Sequence, residues 1–451
     1  MEIDSTPMYQ EASEIMASGR TTTNSGWRAV LKCGDVELSP LFVQAVNFDR
    51  NYARDLSDIV TATLMFGLGD YAHVIYPNRT QLQLVLTRVP FKEAGSTIDV
   101  ENDIQSQTYV CYLLAQAASP VVAQGAETND REALNLTQIV DVHLQLLSKS
   151  VSQIRTIITG GPNRTSRVEG VLRSVLTLAM QRVGNESEVA MSGVDMIPAD
   201  NQDLKGHVVI TQGTQVVDVP DLIQKRYGVY SAGLGSYIQD RHWYVYPLYN
   251  TGGYNTRKRT ATALVLPKRK FGGIERTFTS TVDTLTLLAT GETMFRDDAG
   301  TNFANGGNGV RFANANQLFE DTTEHGTNSA RFKRGNNNSE FRIAEGPNGI
   351  NLAALSKNRI TSNPFEEMSR LASSNGGLIR LTWQHCDVDL LHPGMAFKVL
   401  YSDNKEIKTV YGILHRVRYV SHRSSGFGSD RFMNQAILDV FVNEQITQIE
   451  G

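Results

Sequence analysis

Hydrophobic and polar residues alternate along the last sixty residues of the chain. Three alternating runs, MAFKVLY, IKTVYGILHRVRYVSH and RFMNQAILDVFV, are separated by the polar turns SDNKE and RSSGFGSD. A period of two between turn residues predicts antiparallel strands, each with one face against a core. The middle strand would span roughly 40 Å between Val410 and Ser421 at about 3.4 Å per residue. This end of the chain is therefore predicted to form part of a barrel or an extended ribbon.

A second β-rich region lies near the N-terminus, from Trp27 to Phe91. Leu82, Leu84 and Leu86 alternate there with less apolar neighbours, as in a half-buried strand. The whole region contains five runs of this kind: WRAVLKC, VELSPLFVQAVNFDR, SDIVTATLMFGLG, YAHVIYP and TQLQLVLTRVPF. Short strands joined by turns predict a small antiparallel barrel or sandwich.

Helical spacing predominates between these regions, from Asp130 to about Val183. The first predicted helix has apolar residues at heptad spacing and ends at Gly160-Gly161-Pro162. The second starts at Ser166, where Glu169 completes a capping box. Together they predict an antiparallel helical hairpin. The heptad seam is either part of the subunit's own core or a contact between subunits, and its candidate interface residues are Val140, Leu144, Leu147, Val151, Ile154 and Ile158.

We therefore predict a mainly β protein with an α insert (α+β), built from two tube-like antiparallel β-barrels and a helical hairpin. Further predicted elements are a short helix at PDLIQKRYGVY and a helix starting at Asn363-Pro364. The predicted segments are 1–25 (flexible N-terminal arm), 26–115 (first tube-like barrel), 116–205 (helical insert), 206–296 (mixed β domain with a short helix), 297–345 (Asn/Gly-rich excursion) and 346–451 (second tube-like barrel).

Length and composition limit the classes of protein to consider. The chain has 451 residues, which is enough for several domains, and its 41% hydrophobic residues fit a folded globular protein. The formal net charge of -4 argues against a dedicated nucleic-acid-binding protein. Three widely spaced cysteines, no secretory signal and no long apolar run predict a reduced, cytoplasmically made protein that does not insert into membranes.

No segment carries a convincing active-site motif. Gly67-Leu68-Gly69 and Gly233-Leu234-Gly235 lack the third glycine of a dinucleotide-binding loop, and no metal-binding motif is present. A Cys386–His415 dyad would depend on tertiary folding alone. Three carboxylate pairs could supply an acid and a base: Asp297-Asp298, Glu366-Glu367 and Asp387/Asp389. We predict no catalytic residues, metal or cofactor. The basic stretch from Arg257 to Lys270 either contacts nucleic acid or protects an edge strand from pairing.

The chain resembles the baseplate hub proteins of contractile-tailed bacteriophages. The resemblance is carried by residues 221–249, DLIQKRYGVYSAGLGSYIQDRHWYVYPLY, and by residues 391–442, with LHPGMAFKVLY, YGILHRVRYVSH and QAILDVFV. It covers about two-thirds of the chain in order and pattern, but not the 297–340 segment.

The resemblance implies a structural, non-enzymatic virion protein of the tail baseplate, made in the host cytoplasm. It implies a homotrimeric ring whose subunits each contribute two tube-like barrels. The implied partners are other copies of the chain, the tail tube protein, the central spike protein and other baseplate proteins. DNA would pass through without specific binding. The alternatives are a tail-associated hydrolase acting on cell wall or surface glycan, and another tube-like virion protein such as a tube cap or tail tube.

Overall fold

The computed structural model describes residues 7–17, 25–90, 105–114, 139–184, 190–266, 276–295, 311–314, 339–346, 349–356, 363–374, 376–403, 406–423 and 432–443. The fold is mostly β. The strands are β1 Ser25–Cys33, β2 Val36–Leu38, β3 Phe42–Asn51, β4 Ile59–Gly67, β5 Leu82–Pro90, β6 Gln105–Leu113, β7 Ile139–Ser148, β8 Ile158–Arg167, β9 Gly193–Met196, β10 Leu204–Gln215, β11 Leu234–Gln239, β12 His242–Pro247, β13 Thr260–Val265, β14 Phe278–Ser280, β15 Thr284–Phe295, β16 Arg311–Asn314, β17 Ser339–Gly346, β18 Gly349–Ser356, β19 Gly376–Gln384, β20 Ala396–Asp403, β21 Glu406–Arg423 and β22 Phe432–Asn443. The main helices are α1 Pro7–Ala17, α2 Lys149–Ile154, α3 Val168–Arg182, α4 Val219–Tyr227 and α5 Pro364–Ser374.

One large sheet organises the molecule. Six of its strands close into a ring in the order β21-β20-β13-β15-β19-β22, because β22 also pairs with β21. The other half of the sheet runs β1-β5-β6-β7-β4-β3, and β3 pairs with the second part of β21. The 18-residue strand β21 therefore belongs to both halves. Among the described residues no ladder joins β1 to β3, so only the C-terminal half forms a closed hydrogen-bonded ring.

A single apolar core fills both halves of the sheet. It includes the fully buried side chains of Leu31, Leu64, Phe397 and Trp383. A second core, around Leu172, belongs to a middle unit formed by α2, α3, α4 and strands β8 to β12. In that unit β8 and β10 form a two-stranded ribbon, and β11, β12 and β9 form a three-stranded sheet.

The terminal meander is confirmed, since β20, β21 and β22 pair antiparallel in sequence order. The helices predicted at PDLIQKRYGVY and at Asn363-Pro364 are also present, as α4 and α5. At the start of α5, the side chain of Asn363 accepts a hydrogen bond from the backbone N–H of Phe365 at 3.1 Å. Local sequence rules were sufficient for these elements.

The prediction of the first helix of the hairpin is wrong. Its residues form β7, the short helix α2 and β8, and the second helix alone is present, as α3. Val142, Leu144 and Leu146 alternate with polar residues and are buried, so the period in β7 is two. The heptad spacing was a coincidence of apolar residues on both sides of a strand-to-helix junction.

Four further expectations need correction. YAHVIYP was read as a strand, but Tyr71–Ile75 is a helical turn. Residues 7–17 of the predicted flexible arm form α1, whose Met8, Ala12 and Ile15 are buried against the outside of the ring. The strand β13 pairs with β15 and β20, so the basic residues beside it do not protect an edge. The Asn/Gly-rich segment contributes β16 and most of β17 to a three-stranded sheet with β18, and the rest of it lies outside the described residues.

The domain limits stay a prediction. Strands from the predicted 206–296 and 346–451 segments nevertheless share the closed ring. No helix in the described ranges is long and apolar enough to cross a membrane.

Candidate functional site

Seven neighbouring strands form a broad sheet surface with one face on the core and one facing outward. In sheet order they are β6, β7, β4, β3, β21, β22 and β19. Burial alternates along β4, where Val60, Ala62 and Leu64 point into the core and Thr61 and Thr63 point outward. We call the side of the seven strands that carries Thr61 the outward face.

Uncharged residues cross the middle of the outward face in one row. Cross-strand pairing places them side by side through the pairs Gln384–Gln435, Gln435–Val420, Val420–Asn47, Asn47–Thr61, Thr61–Gln145 and Gln145–Tyr112. Asn47 Nδ2 donates to Thr61 Oγ1 at 3.4 Å. This amide row contains no formal charge over seven strands.

Charged residues lie beside the amide row and are paired with one another. Arg416 Nε donates to Asp49 Oδ1 at 2.8 Å, between β21 and β3. Arg380 and Arg418 both contact Asp439, at 2.8 Å and 3.5 Å. Side-chain hydrogen bonding to Asp49 raises the pKa of Arg416 above its ordinary value. The three guanidiniums thus have a carboxylate partner within the sheet.

A buried ionic network lies where the two halves of the large sheet meet. Arg88, on β5, bonds both carboxylates of the turn before β20: Nη2 contacts Asp387 Oδ1 at 3.0 Å, and Nη1 contacts Asp389. Its Nε donates to Ser25 Oγ at 2.8 Å. Both carboxylates of the pair that sequence reasoning offered as an acid and a base are therefore bound by Arg88.

Arg50 continues this network from β3. Its Nε donates to Asp58 Oδ2 at 3.0 Å, its Nη1 donates to the Val388 carbonyl at 2.9 Å, and its Nη2 lies 3.7 Å from Asp389 Oδ1. Burial lowers the pKa of Arg50, but Asp58 and other neighbours outweigh burial and hold it well above its usual value. Arg50 therefore stays charged in the core.

The middle unit joins the same network through β11. Tyr237 donates to Asp58 Oδ1 at 2.8 Å, and Tyr52 donates to Gln239 Oε1 at 3.0 Å. Gln239 Nε2 then donates to the carbonyl of Leu391 at 2.9 Å. Burial raises the pKa of Asp58, and Arg50 only partly offsets this. The network connects the first half of the sheet, the ring and the middle unit.

Sequence reasoning missed Arg50 and Arg88, although both carry a readable signal. Arg88 has the same strand parity as Leu82, Leu84 and Leu86, and Arg50 has the same parity as Val46 and Phe48. A charged residue at a core-facing position must be paired when it is buried. The pattern could have indicated buried ion pairs, but it could not have named their partners.

The possible Cys386–His415 dyad is not assembled. Burial and the nearby Asp387 carboxylate raise the pKa of the Cys386 thiol well above its ordinary value. His415 Nε2 donates to the Leu248 carbonyl at 2.9 Å, and its ring stacks on Phe441 at 4.9 Å. Among the described contacts of His415 none involves Cys386.

Other candidate groups are dispersed. Asp297 and Asp298 lie outside the described residues, and Glu366 lies in the first turn of α5. Gly233 has φ +74°, as a tight turn requires, and the described ranges contain no group of three His, Cys, Asp or Glu side chains that could hold a metal ion.

The candidate interface residues occupy three elements. Leu144 is buried in the main core, while Val151 and Ile154, on α2, are buried in the middle unit. Val140 and Leu147, on β7, are partly buried, and Ile158, at the start of β8, is 59% exposed. The structure does not bring the six together on one surface.

Three solved structures are similar to this chain at low sequence identity. The chain is similar to a tail protein from Neisseria meningitidis MC58, with 12% identity over 94% of this chain and 98% of that chain and a TM-score of 0.44. It is similar to the 43 kDa tail protein of prophage MuSo2 from Shewanella oneidensis, with 9% identity, coverage of 92% and 97%, and a TM-score of 0.46.

A third similar structure is a component of the type VI secretion system of E. coli, described as structurally similar to the T4 bacteriophage tail proteins gp27 and gp5. It shares 8% identity over 92% of this chain and 77% of that chain, with a TM-score of 0.41. The sequence matches no protein-family model, and no curated protein matches it. Two of these three structures are described as tail proteins, and the third as similar to phage tail proteins.

Proposed function

We propose that this chain is a structural component of a phage tail baseplate, a trimeric hub ring that joins the tail tube to the central spike and encloses the DNA channel. The observation that carries the proposal is the outward face, a sheet surface whose hydrogen-bonded strands run without interruption across both halves of the large sheet and which includes a row of residues without formal charge. A surface of this breadth suits the wall of a channel. A catalytic site would instead be a concave pocket with convergent reactive groups.

The dimensions of the outward face suit a channel. Seven strands at about 4.8 Å spacing give a width of roughly 34 Å. Three copies side by side would form a wall with a perimeter of about 100 Å, which is wide enough to enclose a DNA duplex. Four of the strands come from the first half of the sheet and three from the ring. Each copy would therefore supply two neighbouring parts of the channel wall, one from each half of its large sheet, as the resemblance to hub proteins implies.

The charges of the outward face also suit DNA passage. Unpaired Lys and Arg side chains bind phosphates and slow a moving duplex. Here Arg380, Arg416 and Arg418 are engaged by Asp49 and Asp439, and the amide row beside them is uncharged. DNA would therefore slide past without specific binding.

The proposed ring would have several protein partners in the virion tail. The two ends of the ring would meet the tail tube protein and the central spike protein, with other baseplate proteins around the outside. The protein would act in the virion tail after synthesis in the host cytoplasm. Within the candidate interface set, Ile158 is the residue with the exposure that a contact between copies needs.

The alternative of a tail-associated hydrolase gains no support from the site. A retaining or inverting glycosidase needs two carboxyl groups free to exchange protons across a substrate. Asp387 and Asp389 are instead bound to Arg88 and to Arg50. A tube cap or tail-tube role would use the same outward face, and the symmetry of the particle distinguishes it from a hub.

Cross-linking tests the arrangement directly. In a closed ring the two borders of the outward face on adjacent copies would meet, so the double variant Tyr112→Cys/Gln384→Cys should form disulfides between copies. The expected product is a covalent trimer of three 49.9 kDa chains. The matched control pairs Tyr112→Cys with Leu204→Cys, which is 65% exposed on the β8–β10 ribbon. Monomer in both variants, or equal cross-linking in both, would rule out this ring.

A further inference from the structure

A basic turn, Arg257-Lys258-Arg259, precedes β13 and lies outside the seven strands of the outward face. It is the first half of the basic stretch in the sequence, and the second half lies outside the described residues. The turn does not protect an edge, because β13 is paired on both sides. Within the described ranges none of its three cations has a hydrogen bond or an ion pair with a carboxylate. Three positive charges therefore lie together without a negative partner.

The guanidinium of Arg257 is held in place with one of its donors unused. Its Nη1 donates to the Gly394 carbonyl, whereas its Nη2 is buried and has no hydrogen-bond partner in the described part of the chain. Burial lowers the pKa of Arg257 to about 10, and the groups that oppose burial are the phenols of Tyr230 and Tyr246 rather than carboxylates. A buried donor that is left unsatisfied is costly, most of all on a charged group. The unused Nη2 therefore indicates a missing acceptor.

His392 supplies a second unused donor beside Arg257. It belongs to the same tight turn as Gly394, in which the Met395 N–H donates to the His392 carbonyl at 3.2 Å. Arg259 Nη1 lies 2.7 Å from His392 Nε2. Because a guanidinium only donates, Nε2 is the acceptor, and the proton of the neutral ring is on Nδ1. This Nδ1–H is also buried and without a partner among the described residues.

The surroundings keep the ring of His392 neutral and in place. Burial and the positive charge of Arg259 lower the pKa of His392, and Asp240 and Asp195 offset them only in part. The ring stacks on Tyr244, with 6.2 Å between the centroids and 23° between the planes. The contact between Arg259 and His392 is exposed, so an ion approaches this site directly from solvent.

We propose that Arg257, Arg259 and His392 bind one phosphate group. All three offer N–H donors, and charge-assisted bonds from guanidiniums to phosphate oxygens are strong and directional. The negative charge would balance the turn, whereas a metal cation would be repelled and a neutral water would leave the charges as they are. The group would come from free phosphate or from a phosphodiester. The inference does not depend on the proposed role in a phage tail.

Isothermal titration calorimetry of the full chain with inorganic phosphate tests this site. At constant ionic strength we expect saturable binding of one phosphate per chain. Arg257→Gln and His392→Phe should each weaken the affinity by about tenfold or more, since each removes a donor to a charged group. Glutamine keeps a donor for the Gly394 carbonyl, and phenylalanine keeps a ring against Tyr244, so both variants are expected to fold with an unchanged circular dichroism spectrum.

The matched control is Arg164→Gln. Arg164 lies opposite His207 in the β8–β10 ribbon, and both are exposed, but neither has a buried unpartnered nitrogen in the described part of the chain. The variant removes the same charge and should bind phosphate like the unaltered protein.

Two results would overturn the proposal. One is the absence of saturable binding, and the other is an equal loss of affinity in all three variants, which would mean an adventitious ion only, held by net charge. A single-stranded DNA oligonucleotide separates the two sources. Competition with phosphate would identify a phosphodiester as the ligand, and binding of phosphate without competition would identify the free ion.

Discussion

Arg88 Nη2 lies 3.0 Å from Asp387 Oδ1, across 299 residues of sequence. The contact fastens a strand of the first half of the sheet to the turn that leads into the ring. Because Arg88 also bonds Asp389, and Asp389 lies near Arg50, one chain of charges holds the two halves at a fixed orientation. A wall that continues from one half into the other depends on that orientation.

Replacing Arg88 with methionine should destabilise the protein strongly. The change leaves Asp387 and Asp389 partly buried without their main partner, and breaking a buried ion pair in this way costs about 3–5 kcal/mol. Urea unfolding of Arg88→Met measures the loss. Arg28→Met, at an exposed position on β1, is the matched control and should change the free energy of unfolding by less than about 0.5 kcal/mol. Equal effects of the two substitutions would contradict a structural role for the network.

His415 should make the protein sensitive to mild acid. Burial lowers the pKa of its imidazole to about 4, so the ring is neutral in the folded state. A lowered histidine pKa contributes stability that is present above the unfolded value of about 6.5 and is lost as the pH falls toward 4. The contribution is roughly 3 kcal/mol.

The test compares free energies of unfolding between pH 7 and pH 4. His415→Asn keeps a donor for the Leu248 carbonyl but does not titrate, so its stability should fall less over this range than that of the unaltered protein. His207→Asn, at an exposed site, is the control and should retain the full decline. Parallel pH profiles for all three proteins would show that His415 does not cause acid sensitivity.

Helix α1 should depend on its apolar contacts with the ring. Ile15 packs into the cluster that contains Leu264, Leu266 and Leu288, and truncating a buried isoleucine to alanine costs about 2–5 kcal/mol. Because α1 has 11 residues and is marginal without packing, the loss should appear as faster proteolytic cleavage within it. Glu14→Ala, on the exposed side of the same helix, should be cleaved at the original rate. Unaltered cleavage of Ile15→Ala would mean that the helix is held by other contacts.

The native cysteines should react slowly with thiol reagents. Cys33, Cys111 and Cys386 are all buried and free, and burial raises the pKa of each thiol. The thiolate is the reactive form, so few thiols should be modified at pH 8 before unfolding. Tyr112→Cys, at a 54% exposed position, should add one fast-reacting thiol. A fast native thiol would reopen the question of a reactive Cys386.

The sequence was most informative where local patterns decide the structure. Alternation gave β20, β21 and β22, and helix-capping residues gave α4 and α5, because these signals act over a few residues. The sequence pattern was misleading in β7. There the spacing of Leu144, Leu147 and Val151 matches a helical heptad, although these residues lie in a strand and in the helix that follows it. Which residues are buried decides between a strand and a helix here, and burial depends on which strands become neighbours in the folded protein.

The candidate site was harder to predict than the fold. The six strands of the ring are drawn from residues 260–443, and no local pattern states that β22 returns to β21. The pairing of Arg88 with Asp387 also depends on tertiary folding. The outward face could be anticipated only as polar positions on individual strands, since its continuity comes from the β3–β21 ladder.

In the proposed ring, three copies place the outward face around a channel. Single-particle electron microscopy of the purified assembly tests it most directly. We expect a threefold ring in which Asn47, Thr61 and Gln435 face a continuous central opening. A separate monomer, or a ring in which those three residues lie on the outer circumference, would contradict it.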